Sequence, residues 1–205
     1  HALDLCTAVV GRDELRDMVE VVSLMRTQVK APLVIDSTDP EVIRAALELL
    51  GGRSVINSVN LEEGEPRADL ICSMARDHGA ALIALAIDEE GMARSPERKL
   101  AVTERLVEIA VERHGLEISS LLIDPLTFTV CTGQEEDRKL AVGTLEGIRL
   151  IRQRFPDIGI VLGISNVSFG LTHTLRPILS SVFLHHAREA GLTAAIVHAR
   201  GVLPL

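Results

Sequence analysis

The chain has 205 residues, of which 47% are hydrophobic and 24% are charged, the composition of an ordinary globular domain. The net charge of −8, with no Trp, no Tyr and only four Phe, argues against nucleic-acid binding, because such proteins need a basic surface and aromatic platforms for the bases. The longest apolar run, near Ala80–Ile87, is too short for a membrane span of roughly 20 residues.

Seven short apolar runs alternate with longer amphipathic segments along the chain. The runs are rich in Val, Ile, Leu and Ala and do not alternate between apolar and polar residues, which is typical of parallel strands that are buried on both faces. Their spacing of about 20 to 40 residues suits successive βα units. In chain order the predicted strands are Ala2–Cys6, Leu33–Asp36, Ser54–Asn57, Ala81–Ile87, Ser120–Asp124, Gly159–Ile164 and Ala194–His198.

The segments between the runs have the period of helices. The apolar positions of Glu41–Leu50, of Glu97–His114 and of the segment before Phe155 each fall on one stripe. Asp39-Pro40 and Ser95-Pro96 have the composition of helix starts, in which an N-cap side chain precedes a proline. We therefore predict a single domain of alternating strands and helices over residues 1–205.

Alternating βα units build either a doubly wound sheet or a barrel. The chain has neither the glycine fingerprint of doubly wound nucleotide-binding folds nor a GxxxxGK[ST] loop. Polar residues end nearly all the predicted strands, and the carboxyl ends of barrel strands form the active-site face. Helix capping explains one such residue but not the whole set. The set is Asp36, Asn57, Asp88, Asp124, Asn166 and His198, with Asp4 inside the first run.

A complete barrel of this kind has eight strands, whereas seven are predicted here. The predicted fold class is therefore α/β, a TIM-type (β/α)8 barrel that lacks the first βα unit and the last helix. On this interpretation residues 1–205 are one barrel domain and a fragment of a longer chain. Two unpaired strand edges are then expected, which would make these residues alone prone to aggregation.

The three cysteines are Cys6, Cys72 and Cys131. An odd number at such wide spacing fits neither a disulfide framework nor a zinc knuckle, and no signal-peptide pattern is visible. The expected compartment is the reducing cytoplasm. Cys72 falls among apolar residues of a predicted helix and is expected in the core.

Four segments at strand ends carry a resemblance to a known family. They are Val34–Thr38, Val55–Asn60, Leu122–Leu126 and Leu162–Ser168. In this order they resemble the pterin-binding domain of cobalamin-dependent methionine synthase and of the corrinoid methyltetrahydrofolate methyltransferases, which are barrels related to dihydropteroate synthase. The resemblance covers essentially the whole chain, and the run Asp88–Gly91 favours the methionine synthase branch.

The resemblance implies a methyltransferase that binds 5-methyltetrahydrofolate as its substrate. The N5 methyl group would pass to the Co(I) of a cobalamin carried by a cobalamin-binding domain or a separate corrinoid protein. No metal is expected in the barrel itself. A homodimer is compatible with the sequence, and the final methyl acceptor stays open.

The resemblance also implies a site. Asp124 is the carboxylate that accepts two adjacent donors from the pterin ring, a charge-assisted bidentate contact, and Asp36 and Asn57 complete the polar contacts. Asn166 is the catalytic residue, because its amide can donate to N5 without titrating. Such a hydrogen bond must strengthen as the methyl group leaves.

Further positions follow from the same resemblance. Gly163 and Ser165 let the backbone approach the pterin face, and Arg176 contacts the catalytic asparagine or the substrate. Asp4 is the only residue carried over from the first strand. Cys6 stands where the family has an Asn, so any contact made by that Asn is in doubt.

Two other functions stay open at this point. A dihydropteroate synthase-like enzyme would join a pterin pyrophosphate to p-aminobenzoate, but it would need basic residues for the pyrophosphate, and no Lys follows Val142. The barrel could also bind a folate or dock a corrinoid protein without turnover. Binding without methyl transfer would favour this last reading.

Three weaker motifs are judged structural rather than catalytic. The segment Gly163–Val167 lacks the second glycine of a hydrolase elbow. His185 and His186 are expected on different faces of a helix, one buried and one exposed, rather than as metal ligands. His198 ends a strand, yet no residue at a zinc-like spacing accompanies it.

Overall fold

The computed structural model describes residues 1–131, 135–198 and 201–203. Within these residues, seven parallel strands form the main sheet, two short strands form a hairpin, and six α-helices accompany them. The strands are β1 (Leu3–Cys6), β2 (Leu33–Asp36), β3 (Val55–Val59), β4 (Ala81–Leu85), β5 (Ile87–Asp88), β6 (Gly91–Met92), β7 (Leu121–Asp124), β8 (Gly159–Gly163) and β9 (Ala194–Ile196). The helices are α1 (Glu14–Gln28), α2 (Pro40–Leu49), α3 (Glu65–His78), α4 (Pro96–Val107), α5 (Glu135–Arg154) and α6 (Arg176–Ala190).

The main sheet keeps the order of the chain, β1-β2-β3-β4-β7-β8-β9, and every neighbouring pair is parallel. Within the described residues β1 and β9 are not paired with each other, so the barrel is nearly closed and open along one seam. The prediction of a TIM-type barrel with seven of its eight strands is thus confirmed.

The two faces of the sheet bury different cores. Val34, Ile83 and Val161 form a small cluster with inward-facing neighbours from the other strands, which is the interior of the barrel. The alternate residues, such as Ile35 and Leu82, join the larger core between the sheet and the helices. Burial on both faces explains why the strands read as continuous apolar runs.

The predicted boundaries hold to within a few residues. Asp39 and Ser95 are N-caps, accepting from the backbone N–H of Glu41 at 2.8 Å and of Arg98 at 3.2 Å. The predicted helix Glu97–His114 is divided, since α4 ends at Val107 and a π-helical segment, Glu108–Arg113, continues it.

The predicted strand Ala81–Ile87 is too long, and this changes the place of Asp88. β4 ends at Leu85, and the chain turns into the β5–β6 hairpin, where Asp88 pairs with Arg98 of α4. Asp88 therefore stabilises a connection and does not belong to the polar group at the strand ends.

Two expectations about helix positions have different outcomes. Cys72 is buried in the core, as predicted. The expectation that one of His185 and His186 is buried is wrong, because both lie exposed on the outer surface of α6. Within the described part of the chain, no helix combines the length and apolar character needed to cross a membrane.

Candidate functional site

Parallel pairing brings three predicted polar residues to one end of the barrel. Asp36 lies opposite Asn57 in the β2–β3 register, and Asp124 lies opposite Leu85 in the β4–β7 register. Each polar residue follows an inward-facing apolar residue by two positions, so its side chain is directed to the same interior face. We call this carboxyl-terminal end of the barrel the mouth.

A hydrogen-bonded acid pair lies on the β1–β3 side of the mouth. Asn57 Nδ2 donates to Asp4 Oδ1 at 3.5 Å, and the carboxyl groups of Asp4 and Asp36 are hydrogen-bonded to each other. Partial burial, reinforced by the negative charges of Asp4 and Glu14, raises the pKa of Asp36 to about 6. Partial burial also raises the pKa of Asp4. Both carboxyl groups therefore keep a proton to higher pH than free aspartates would.

Glu14 and Ser37 lie beside this acid pair and were not predicted from the sequence. Ser37 Oγ donates to Glu14 Oε1 at 2.5 Å, which ties the start of α1 to the end of β2. Cys6 lies opposite Asp36 in the β1–β2 register, so its exposed thiol is at the mouth too. The place where the family has an Asn is therefore beside the acid pair.

Asp124 lies on the other side of the mouth and is only 9% exposed. Its Oδ1 accepts from the backbone N–H of Leu126 at 2.8 Å. Burial raises the pKa of Asp124 to about 6, against the opposing effects of backbone hydrogen bonds from Leu126 and Gly163 and of the charge on Lys99. The result is a carboxylate that is desolvated, oriented and ionised above about pH 6.

Lys99 is the fully buried cation of the site, and sequence reasoning did not find it. Its Nζ donates to the carbonyl oxygen of Ala93 at 2.8 Å and to that of Pro125, the residue after Asp124. Burial lowers the pKa of Lys99 to about 8, while the charge of Asp124 acts in the opposite direction.

Asn166 is exposed on a short 3-10 helix, Ile164–Ser168, that follows β8. Its Nδ2 lies 3.5 Å from the position that a Cβ on Gly163 would occupy. The amide is therefore next to a position of the interior face that has no side chain. Arg176 holds this loop from the start of α6, since its Nη2 donates to the carbonyl oxygen of Ser165 at 3.4 Å. Its Nε is 3.5 Å from Ser168 Oγ.

A cavity of about 460 Å³ lies beside the mouth, between this loop and the end of β9. Its lining includes Ser165, Arg176, His173 and His198, but not the buried carboxylate Asp124. His198 is exposed on the cavity wall.

His185, His186 and Glu189 form a separate exposed cluster whose ligand atoms lie within 4.8 Å of one another. The cluster is near the carboxyl end of α6, whereas Arg176 and the mouth are at its start. Among the described residues it is the one group with metal-binding composition, and it does not contribute to the mouth.

Comparisons with known proteins agree with this arrangement. The family model of the pterin binding enzymes matches residues 3–198. The chain is 48% identical over 208 aligned residues to methionine synthase of Mycobacterium tuberculosis and 47% identical to that of Mycobacterium leprae. The alignments cover 100% of this chain but only 17% of each relative.

Solved structures of dihydropteroate synthases share the fold. The enzyme from Xanthomonas albilineans, in complex with 7,8-dihydropteroate, matches with a TM-score of 0.70 at 20% identity over 97% of this chain and 73% of that one. The Stenotrophomonas maltophilia enzyme gives 0.68 at 20% identity, over 98% and 77%. With the fold, the family model and the close relatives in agreement, the chain belongs to the pterin-binding enzyme family.

Proposed function

We propose that this domain binds 5-methyltetrahydrofolate across the mouth of the barrel and catalyses transfer of its N5 methyl group to the Co(I) of a cobalamin carried by another domain or protein. The observation that carries the proposal is the buried, oriented carboxylate of Asp124 beside the loop that holds Asn166. The near 50% identity to methionine synthases supports the choice of substrate and reaction.

Binding of the pterin is assigned to the polar side chains of the mouth. Asp124 accepts the two adjacent donors of the N–C(NH2)–N edge, and its carboxylate is ionised at neutral pH because its pKa is raised by burial only to about 6. Asp36 and Asn57, on the opposite side of the mouth, make the remaining polar contacts. Gly163 and Ser165 leave the backbone open to the face of the ring.

The chemical step is assigned to Asn166. As the methyl group leaves, the electron pair of the N5–CH3 bond remains on N5, and an amide N–H donated to N5 stabilises that pair. Cobalamin supplies, as Co(I), the electron pair that accepts the methyl group. Arg176 holds the loop backbone and thereby fixes the position of the amide.

The partner of the reaction is assigned to another part of the protein or to a separate corrinoid protein. The domain covers 17% of the length of its methionine synthase relatives, which leaves room in those proteins for a cobalamin-binding domain. The three unpaired cysteines fit the cytoplasm, where we place the reaction.

A dihydropteroate synthase-like reaction has less support. The chain has three lysines, Lys30, Lys99 and Lys139. Lys30 precedes β2 at the far end of the barrel, Lys99 is buried and bonded to carbonyl groups, and Lys139 is on α5. None of them is placed to bind a pyrophosphate at the mouth.

The test is a titration with 5-methyltetrahydrofolate followed by a methyl-transfer assay with Co(I) cobalamin, both on the full natural polypeptide. We expect saturable binding and transfer in the wild type, and loss of both in Asp124→Asn. Asp157→Asn is the matched control, because Asp157 is an exposed carboxylate before β8, at the opposite end of the barrel. Binding without transfer would support a binding or docking module instead, and absence of binding would refute the proposal.

A further inference from the structure

Lys99 is buried in a place prepared for it. Its ammonium group has two carbonyl acceptors, of Ala93 and Pro125, and lies 4.8 Å from the centre of the Phe128 ring. Gly147 of α5 leaves room for its methylene chain, because a Cβ there would lie only 2.7 Å from Lys99 Cδ. Both the ammonium group and the methylene chain of Lys99 thus have specific contacts in the core, which distinguishes Lys99 from an ordinary surface lysine of a helix.

The turn after Asp124 is fixed by two helices. Lys99 of α4 donates to Pro125, and Thr144 Oγ1 of α5 donates to the carbonyl oxygen of Leu126 at 3.0 Å. Leu126 has a left-handed backbone, with φ of 67°, and its N–H returns to the carboxylate of Asp124. The direction of that carboxylate therefore depends on contacts made outside the mouth.

We propose that Lys99 is a positioning residue for the pterin site: it fixes the Asp124–Leu126 turn and supplies the counter-charge for the buried carboxylate. The inference rests on the proposed function, since it assigns to Asp124 the role of pterin acceptor. Lys99 does not touch the substrate in this scheme and acts only through Asp124.

We assign a role to the charge of Lys99 in addition to its hydrogen bonds to the turn. Among the described residues, the groups that act on the carboxylate are two backbone N–H groups, of Leu126 and Gly163, and the cation of Lys99 from α4. The neighbouring strand position on β4 is Leu85, which has no charge. A neutral donor at position 99 would keep the turn but leave the carboxylate without its cation.

The proposal predicts a characteristic pH dependence of folate affinity. Affinity should fall on the acid side as Asp124 takes up a proton, and on the alkaline side as Lys99 loses one. The ordinary pKa values of the two groups are moved by burial to about 6 and about 8, so both limbs lie in an accessible range. In Lys99→Met the alkaline limb should disappear and the acid limb should move to higher pH.

Two alanine variants on α5 test the position of the Lys99 side chain without removing its charge. Gly147→Ala forces the lysine chain to move, whereas Gly143→Ala, one turn earlier, makes only ordinary contacts, the nearest at 3.6 Å from the carbonyl oxygen of Arg94. Both substitutions have the same effect on helix propensity. We expect Gly147→Ala to weaken folate binding at least about threefold and Gly143→Ala to stay within about twofold.

The decisive experiment measures binding of 5-methyltetrahydrofolate to the full natural polypeptide from pH 5 to pH 9. We expect Lys99→Met to bind about tenfold more weakly at pH 5 and about twofold more weakly at pH 7, because a rise of about one unit in the pKa of Asp124, from about 6, lowers its ionised fraction by these factors. Thr144→Val, which removes a neutral bond to the same turn, should weaken binding without removing the alkaline limb. An unchanged pH profile in Lys99→Met, or one that Thr144→Val reproduces, would overturn the proposal.

A ligand-free measurement distinguishes failure of this inference from failure of the proposed function. If Lys99 serves Asp124, Lys99→Met should lower the urea midpoint of the barrel less in the Asp124→Asn background than in the wild type. Equal losses in both backgrounds would refute the coupling. If the coupling is present but the wild type binds no folate, the proposed function fails while the link between Lys99 and Asp124 stands.

Discussion

Replacing Asp124 by Asn tests whether its buried carboxylate weakens the folded state. Burial raises the pKa of this group from the ordinary 3.8 to about 6. At about 1.36 kcal/mol for each pKa unit, the ionised carboxylate costs the folded state about 3 kcal/mol. This cost is absent below pH 3.8, where the group is protonated in both states, and it is complete above the folded-state pKa of about 6.

Asparagine carries no charge and avoids this cost, although it is a weaker hydrogen-bond partner. Its Oδ1 can still accept from Leu126, but loss of the charge-assisted contribution costs about 1–2 kcal/mol. Lys99 then has no counter-charge, yet at pH 8 it can release its proton because burial lowers its pKa to about 8. The cost of burying the charge is larger than the loss from the weaker hydrogen bond. We therefore expect Asp124→Asn to be more stable than wild type by about 1–2 kcal/mol at pH 8 and nearly equal in stability at pH 5.

Urea unfolding of both proteins at pH 5 and pH 8 measures this difference. Asp36 and the other titrating groups that do not interact with Asp124 contribute equally to both proteins, so they cancel when the two pH values are compared. The pKa of Lys99 depends on the charge of Asp124, so its change is part of the measured difference. Folate affinity should fall at the same time by about 2–4 kcal/mol, because the amide presents a donor to a pterin donor. A variant that is less stable than wild type at pH 8, or that differs equally at both pH values, would refute the reasoning.

Three further predictions concern separate features. Asn166→Ala should lower the methyl-transfer rate more than it lowers folate affinity, measured by single-turnover transfer and equilibrium titration; a loss of affinity alone would make Asn166 a simple binding residue. Asp4→Asn should lower the pKa of Asp36, measured by pH titration of its carboxyl carbon, because it removes a negative neighbour; an unchanged pKa would contradict the acid pair. The double variant of His185 and His186 to Gln should leave folate affinity unchanged with or without a chelator, and a loss would connect that cluster to the mouth.

The architecture of the barrel could be predicted because its causes are local. Strands buried on both faces must be apolar throughout, so β2 was predicted with both of its ends, Leu33 and Asp36. N-cap residues such as Asp39 bond to a backbone N–H two or three positions later, and that pattern is visible in the sequence. The grouping of Asp36, Asn57 and Asp124 follows from topology, because parallel strands all end on the same side.

The remaining part of the site depends on contacts that no local pattern records. Lys99 was missed because a lysine in an amphipathic helix normally faces solvent, and its burial depends on Gly147 and Pro125, 48 and 26 residues away. Asp88 was misplaced for a related reason. The apolar run after Ala81 continues past the end of β4, and hydropathy does not show that the chain turns there into a hairpin.

The direction of the pKa changes separates the mouth from the other charged surfaces. On the outside, hydrogen bonds from His114 and Arg113 lower the pKa of Asp69, and Arg105 lowers that of Glu89, so these ion pairs favour the charged, folded protein. At the mouth the pKa values of the carboxyl groups are raised and that of the buried lysine is lowered. Burial therefore disfavours the charged form that each of these groups has near pH 7. A fold selected only for stability would replace such groups by apolar residues. Their presence makes sense if a ligand with hydrogen-bond donors offsets the cost. Folate should therefore raise the melting temperature of the wild type more than that of Asp124→Asn, because it binds the variant more weakly.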